Sequence, residues 1–163
     1  MDMCQELSDL ASRLLSAGLM MGTAESCTGG TIASLMTSRA GSSAYFAGGV
    51  VAYQNEVKHK LLGVSEDDLM WHGAVSQTVV EQMALGVIDA LGCDCAVATS
   101  GIAGPGGGTP TKPVGTVWIA AAYKGKVLSK CCHFGENPRE ENIRLSVVEA
   151  LALLIKLMDE IGL

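Results

Sequence analysis

The sequence is poor in basic residues relative to acidic ones. It has 11 Lys and Arg against 17 Asp and Glu, which gives a formal net charge of -6. Because proteins neutralise nucleic acid backbones with clustered Lys and Arg, this balance disfavours direct binding of nucleic acid. A small phosphorylated ligand remains compatible with the sequence, since one or two cations and a few backbone N–H groups suffice to hold it.

Metal-binding patterns are also missing. The six cysteines include no C-x-x-C pair, and the three histidines are scattered, so no zinc spacing can be drawn. Several cysteines lie in apolar, strand-like runs, where a reduced thiol behaves as a small apolar side chain. We therefore expect no metal and no cofactor.

No targeting or membrane segment can be recognised. Residues 1–6 are acidic and polar, unlike a signal peptide. Apolar runs such as 150–155, which Lys156 interrupts, are far too short to span a bilayer. Together with the reduced cysteines, these features predict a cytoplasmic protein without a membrane partner.

The remaining pattern predicts one α/β domain over residues 1–163. Strands and helices alternate early, two strands follow each other late, and helices stand at both ends. This order is typical of a three-layer α/β/α sandwich with a mixed, mostly parallel sheet. We predict strands at 19–25, 48–53, 93–99, 115–123 and 126–134, and helices at 5–17, 31–39, 56–62 (capped by Asn55), 65–72, from Ser76 to about 91, and 143–161.

The stretch 24–30 (AESCTGG) has the pattern of a strand end, a tight turn and a helix start, with Ser26 at the junction. The first N–H groups of a helix have no partner inside the helix and carry partial positive charge. Ser26 is therefore a candidate nucleophile beside an oxyanion hole formed by N–H groups near Thr28, Gly29 and Gly30. A phosphate contact or a simple helix cap fits the same pattern.

Three polar side chains follow the ends of predicted strands, namely Ser26, Tyr53 and Ser100. Ligand sites in such sheets lie beyond the carboxyl ends of the strands, so we expect the three to share a cleft. A serine nucleophile needs a base, and Lys58 is the best candidate, because a helix start and burial would both lower the pKa of its amine. A solvent-facing surface lysine is the alternative, and Tyr53 is either a core aromatic or a ring that stacks on a ligand.

The loop 100–114 contains five glycines, at 101, 104, 106, 107 and 108. It is neither a Walker A loop nor a dinucleotide-binding loop, because it lacks the Gly-Lys-Ser/Thr ending and a strand follows it. Such a long loop favours a function, with N–H groups and Lys112 available to a phosphate, although a structural crossover fits as well. Arg139 and Arg144, near the start of the last helix, are either surface residues or a phosphate clamp.

Four stretches in this order resemble one family, the CinA C-terminal domain family. They are 24–30 (AESCTGG), 53–58 (YQNEVK), 100–107 (SGIAGPGG) and 112–118 (KPVGTVW). The family includes nicotinamide-nucleotide amidase. The resemblance covers essentially the whole chain and implies the same α/β/α fold. It also implies hydrolysis of the carboxamide of nicotinamide mononucleotide to nicotinate mononucleotide and ammonia, in pyridine nucleotide recycling.

The resemblance also implies roles for individual residues. Ser26 and Lys58 correspond to the serine–lysine pair of the family, and Tyr53 to its motif tyrosine. Ser100 corresponds to the hydroxyl of the SGIAGP motif, and Asn55 and Gly101 are expected at the substrate. The terminal arginine corresponds to Arg144, but the stretch 134–144 is longer than usual, which leaves Arg139 as the alternative for the phosphate.

A second hypothesis comes from another class of protein. The family name derives from competence and DNA damage, so the domain could be a non-catalytic partner of other proteins or a nucleotide-sensing module. For either function we expect a homo-oligomer, because the resemblance to this family implies one.

Overall fold

The computed structural model describes residues 2–163. Within them it contains six α-helices and five strands. In chain order these are α1 (Met3–Ala17), β1 (Met21–Glu25), α2 (Thr31–Thr37), β2 (Phe46–Val51), α3 (Asn55–Leu62), α4 (Glu66–His72), α5 (Gln77–Leu91), β3 (Cys95–Gly101), β4 (Thr116–Tyr123), β5 (Lys126–His133) and α6 (Arg139–Glu160). No helix among these residues combines the length and apolar character needed to cross a bilayer.

The five strands form one sheet in the order β2-β1-β3-β4-β5. Strand β1 pairs in parallel with β2 and β3, whereas β4 is antiparallel to both β3 and β5. Four of the five strands therefore run in one direction, and β4 alone runs against them. The carboxyl ends of β1, β2, β3 and β5 consequently meet at one edge of the sheet.

Helices cover both faces of this sheet. Helices α1, α2 and α6 pack on one face, around a buried cluster that includes Leu10, Ile32 and Leu151. Helices α3, α4 and α5 pack on the other, around a cluster that includes Leu62, Leu69 and Met83. The predicted three-layer α/β/α sandwich with a mixed, mostly parallel sheet is thus confirmed.

Local signals in the sequence account for most element ends. The side chains of Ser65 and Ser76 accept hydrogen bonds from the backbone N–H groups of Asp68 and Val79 and so cap α4 and α5 as predicted. The predicted cap at Asn55 is wrong. Gln54 occupies the cap position, and Asn55 is the first residue of α3.

Helix α3, which carries Lys58, packs closely against α5. A Cβ added at Gly86, in the middle of α5, would collide with the carbonyl oxygen of Leu62 at the end of α3. Glycine at this position therefore lets the two helices approach and fixes the distance of α3 from the sheet.

We predict that Gly86→Ala lowers the free energy of unfolding by about 1–3 kcal/mol, because the added methyl group overpacks the interface. An exposed helical glycine would respond in the opposite way, since alanine has the higher helix propensity. Chemical denaturation measures the change. Gly106→Ala is the control, because a Cβ there meets nothing within 4 Å, and a stabilised Gly86→Ala protein would contradict this account of the packing.

Candidate active site

Ser26 and Lys58 meet at the carboxyl edge of the sheet. Lys58 Nζ lies 2.9 Å from Ser26 Oγ, and the two residues are 1% and 8% exposed respectively. Ser26 directly follows β1, and its N–H donates to the carbonyl oxygen of Thr99 at 3.0 Å, which continues the pairing with β3. The sheet itself therefore holds the hydroxyl in place.

The surroundings of the Lys58 amine favour its neutral form. Besides the serine, Nζ contacts two backbone carbonyl oxygens, of Ala52 at 2.8 Å and of Tyr53 at 3.0 Å. A neutral amine here can donate its two N–H bonds to the carbonyl oxygens and keep its lone pair for the Ser26 hydroxyl, whereas an ammonium would donate to all three oxygens. Burial lowers the pKa of Lys58 below its ordinary value of 10.5.

The neighbouring thiol adds little charge to this environment. Burial raises the pKa of Cys27 to about 11, so the thiol is uncharged at neutral pH. A neutral Cys27 cannot stabilise an ammonium on Lys58. Burial without a charged partner is therefore the main influence on the amine.

The turn after Ser26 is anchored by Glu25, a residue that sequence reasoning missed. Its carboxylate is fully buried and accepts from the N–H groups of Ile32 at 2.8 Å and Ala33 at 3.0 Å, in the first turn of α2. The Thr28 hydroxyl also donates to it, at 2.7 Å. The start of α2 thus binds an anion supplied by the chain itself. An acidic residue shortly before a helix start was the signal that could have revealed it.

Thr28, Gly29 and Gly30 do not line the cleft. The Thr28 hydroxyl lies among Glu25 and Thr99, and the Gly29 N–H donates to the carbonyl oxygen of Ser26 at 3.0 Å. The two glycines instead permit the turn, with φ of 59° and 99°.

A different backbone donor is closer to the chemistry. Cys27 lines the cleft, and no oxygen within residues 2–163 accepts its backbone N–H. The N–H of the residue that follows a serine nucleophile is a usual oxyanion donor in strand-to-helix turns. The Cys27 N–H is therefore a candidate oxyanion donor that lines the cleft, unlike the three residues after it.

A cleft of about 290 Å³ opens above Ser26 and Lys58, close to the lower end of the usual range for small-molecule sites. The glycine loop, the start of α3 and the start of α6 form its walls. Its lining includes five further residues singled out from the sequence, namely Tyr53, Asn55, Ser100, Gly101 and Arg139.

Ser100 presents a defined hydrogen-bonding face to the cleft. It is buried, and its hydroxyl donates to the carbonyl oxygen of Ala74 at 2.7 Å. Because the proton is engaged there, the oxygen lone pairs remain for a donor on a ligand. A carboxamide NH₂ group is such a donor, whereas a carboxylate is not.

Arg139 is the arginine at the mouth of the cleft. Its guanidinium donates to the carbonyl oxygen of Gly104 at 2.8 Å and to the Tyr53 hydroxyl at 3.1 Å. Arg144, to which the resemblance assigned the phosphate, does not line the cleft. It forms an exposed bidentate pair with Glu141, with both distances 2.8 Å. Of the two arginines left open by the sequence, the structure brings Arg139 to the cleft, because α6 begins at this residue.

Within residues 2–163, no three His, Cys, Asp or Glu side chains are grouped as a metal site requires. All six cysteines are free thiols. The polar groups that line the cleft include the Ser26 hydroxyl, the Lys58 amine and the Arg139 guanidinium, together with the side chains of Cys27, Tyr53, Asn55 and Ser100.

These features define a class of protein, a three-layer α/β/α domain with a serine–lysine pair in a cleft at the strand ends. The model of the CinA C-terminal domain matches residues 5–158. The chain belongs to the CinA C-terminal domain family.

Similar proteins cover the chain to different extents. The nicotinamide-nucleotide amidohydrolase PncC of Enterobacter agglomerans is 56% identical over 142 residues, which are 86% of this chain and 85% of that protein. A CinA-like protein of Rippkaea orientalis is 51% identical over 146 residues, 88% of this chain. This chain spans only 35% of the length of that relative.

Solved structures agree with this relationship. The competence/damage inducible protein CihA of Agrobacterium tumefaciens is 43% identical and has a TM-score of 0.88, with 93% of this chain and 95% of that chain covered. A CinA superfamily protein of Escherichia coli is 36% identical and has a TM-score of 0.91, with 96% and 90% covered.

We predict that the Lys58 amine loses its proton below pH 10.5, because burial lowers its pKa. The ¹³Cε chemical shift of labelled lysine, followed over pH, measures this directly and needs no substrate. The Lys58→Met variant identifies the signal by its disappearance. If the signal that disappears in this variant titrates at or above 10.5 in the wild type, the amine is not the poised base inferred from the geometry.

Proposed function

We propose that this chain is an amidohydrolase that converts nicotinamide mononucleotide to nicotinate mononucleotide and ammonia. The 2.9 Å contact between Ser26 Oγ and Lys58 Nζ is the observation that carries the proposal. The identity to PncC over 85% of that protein supports the choice of substrate. Because the product is a pyridine nucleotide, the reaction fits pyridine nucleotide recycling, and the six free thiols fit the predicted cytoplasmic location.

Ser26 acts as the nucleophile and Lys58 as the base in this mechanism. Ser26 Oγ attacks the carboxamide carbon, and its proton passes to the neutral Lys58 Nζ. The oxygen of the tetrahedral intermediate accepts from the Cys27 N–H. Lys58 then protonates the leaving nitrogen, so that ammonia departs and an ester on Ser26 remains. Water attacks that ester, Lys58 takes the proton of the water and returns it to Ser26, and the carboxylate product leaves.

The groups around the pair orient the substrate. Ser100 accepts from the carboxamide NH₂ and so directs the carbonyl carbon towards Ser26. Tyr53 contributes twice: its carbonyl oxygen fixes Lys58, and its half-exposed ring lies at the mouth of the cleft, where it is placed to stack on the pyridine ring. Asn55 and Gly101 complete the walls beside them.

Arg139 binds the 5′-phosphate. Its guanidinium is the only basic group other than Lys58 in the cleft lining of residues 2–163, and it stands at the N-terminus of the 22-residue helix α6. A guanidinium and a helix start both favour a phosphate. The start of α2, by contrast, is filled by Glu25.

Self-association remains a prediction, and one edge of the sheet supports it. Strand β2 forms a free edge and carries no charged residue. The opposite edge strand, β5, carries Lys126 and Lys130, which disfavour edge-to-edge pairing. The same edge would serve the alternative function, a non-catalytic module of competence or DNA-damage proteins, so the activity assay decides between the two.

Incubation with nicotinamide mononucleotide tests the function. We expect nicotinate mononucleotide and ammonia in equal amounts, measured by chromatography and by a coupled ammonia assay. Lys58→Met should lower kcat by about 10²–10⁴-fold, because it removes the base, and Ser26→Ala should lower it at least as far. Lys60→Met is the matched control, since Lys60 is an exposed lysine on the same helix. Near-normal turnover by Ser26→Ala or Lys58→Met would refute the mechanism, and an inactive wild type would favour the non-catalytic module.

A second assay tests the phosphate site. Arg139→Ala should raise KM for nicotinamide mononucleotide by about 10–100-fold, the equivalent of one charge-assisted hydrogen-bonding group. The KM for nicotinamide riboside, which lacks the phosphate, should stay within about 3-fold. Arg144→Ala is the control and should change neither value. The reverse result, with Arg144→Ala weakening only the phosphorylated substrate, would return the phosphate to Arg144.

A further inference from the structure

Asn142 is a fully buried amide in the first turn of α6. Its Nδ2 group donates to the carbonyl oxygens of Ala103 and Gly135, each at 3.0 Å. Its Oδ1 accepts from Asn137 Nδ2 at 3.2 Å. Both donors of the amide are therefore used, and its orientation is fixed.

The partners of Asn142 belong to segments that shape the mouth of the cleft. Ala103 lies in the glycine loop and lines the cleft, and the next carbonyl oxygen, of Gly104, accepts from Arg139 at 2.8 Å. Gly135 lies in the turn between β5 and α6 and packs against Gly115. A Cβ added at Gly115 would collide with the backbone of Gly135. One side chain thus ties the glycine loop and this turn to the helix start that carries Arg139.

The amide makes no contact with the reacting pair. Ser26 and Lys58 are not among its hydrogen-bond partners, and it does not line the cleft. Asn142 also lies three residues after Arg139, almost one helical turn, so both project on neighbouring faces of α6. A substitution at Asn142 should therefore shift Arg139 and the glycine loop more than it shifts Ser26 and Lys58.

We propose that Asn142 is a positioning residue that holds the Arg139 guanidinium over the cleft and thereby sets the affinity for the phosphate end of the substrate. The inference rests on the proposed function for the identity of that substrate. A purely structural role predicts something different, namely loss of stability with equal effects on every substrate.

The substitution Asn142→Ala separates the two roles. We expect KM for nicotinamide mononucleotide to rise by about 10-fold or more, because a small displacement of a positioning group is costly. The kcat and the KM for nicotinamide riboside should stay within about 3-fold. In the double variant with Arg139→Ala, KM should rise no further than in Arg139→Ala alone, since both changes remove the same interaction.

Several results would overturn the proposal. These are an equal rise of KM for both substrates, a fall of kcat with KM unchanged, or additive effects in the double variant. If Asn142→Ala does not fold by circular dichroism, Asn137→Ala takes its place. It removes the bonds from Asn137 Nδ2 to Asn142 Oδ1 and to the Phe134 carbonyl oxygen and keeps both Nδ2 bonds of Asn142. We expect KM for nicotinamide mononucleotide to rise by about 5–10-fold and KM for nicotinamide riboside by less than about 2-fold, and equal rises would overturn the proposal.

Binding of ribose 5-phosphate, measured by calorimetry on the wild type and on each variant, separates a failure of this proposal from a failure of the proposed function. It needs no turnover, so it reports on the phosphate site even if the wild type hydrolyses neither amide. We expect weaker binding in Asn142→Ala and Arg139→Ala alike. Unchanged binding in the folded Asn142 variant would exclude the positioning role.

Discussion

The cleft depends on one buried amine that is surrounded by acceptors and lacks a charged partner. An ammonium in this position would be costly, because burial removes it from water and no carboxylate compensates for it. Lys58 Nζ lies within hydrogen-bonding distance of the Ala52 and Tyr53 carbonyl oxygens and of Ser26 Oγ. In the proposed neutral amine, the two N–H bonds go to the carbonyl oxygens and the lone pair faces Ser26. Burial without an opposite charge thus lowers the pKa of Lys58, which is the environment that the proposed base needs.

The sheet supplies the precision that this arrangement needs. The Ala52 N–H donates to the carbonyl oxygen of Glu25 at 2.8 Å, and the Ser26 N–H donates to that of Thr99. Backbone pairing therefore extends one step beyond the ends of β1 and β2 and fixes Ser26 and Ala52, an acceptor of Lys58, relative to each other. Helix α3 carries Lys58 over these strand ends. The close contact with α5 at Gly86 helps to hold α3 in this position.

Much of the fold and part of the site could be predicted from the sequence. Periodicity and turn residues are local signals, so the sandwich and the caps at Ser65 and Ser76 could be inferred directly. Ser26, Tyr53 and Ser100 could be grouped because each follows a strand. Their roles, and the pairing of Ser26 with Lys58, rested on the resemblance as much as on spacing.

The features that were missed are long-range or depend on helical phase. From the sequence, Glu25 is an ordinary strand residue, and only the structure shows that its carboxylate binds the start of α2. Asn142 would be expected at the surface, because asparagine is usually exposed. The choice between Arg139 and Arg144 depends on where α6 begins. Five residues turn a helix by about 500°, or 140° beyond a full turn, so the two arginines point to different sides.

The two helix starts near the cleft differ in the charge that they carry, and this difference bears on the proposed function. The Glu25 carboxylate occupies the start of α2. On the proposed function, the end of the cleft beside Ser26 would therefore offer a single backbone donor, the Cys27 N–H, to a transient oxyanion. The start of α6 carries a guanidinium held by neutral acceptors, Gly104 and Tyr53, and such contacts can be exchanged for those to a phosphate. On the proposed function, binding energy from the phosphate would be gained away from the reacting carbon, where it would position the carboxamide without stabilising the negatively charged product beside Ser100.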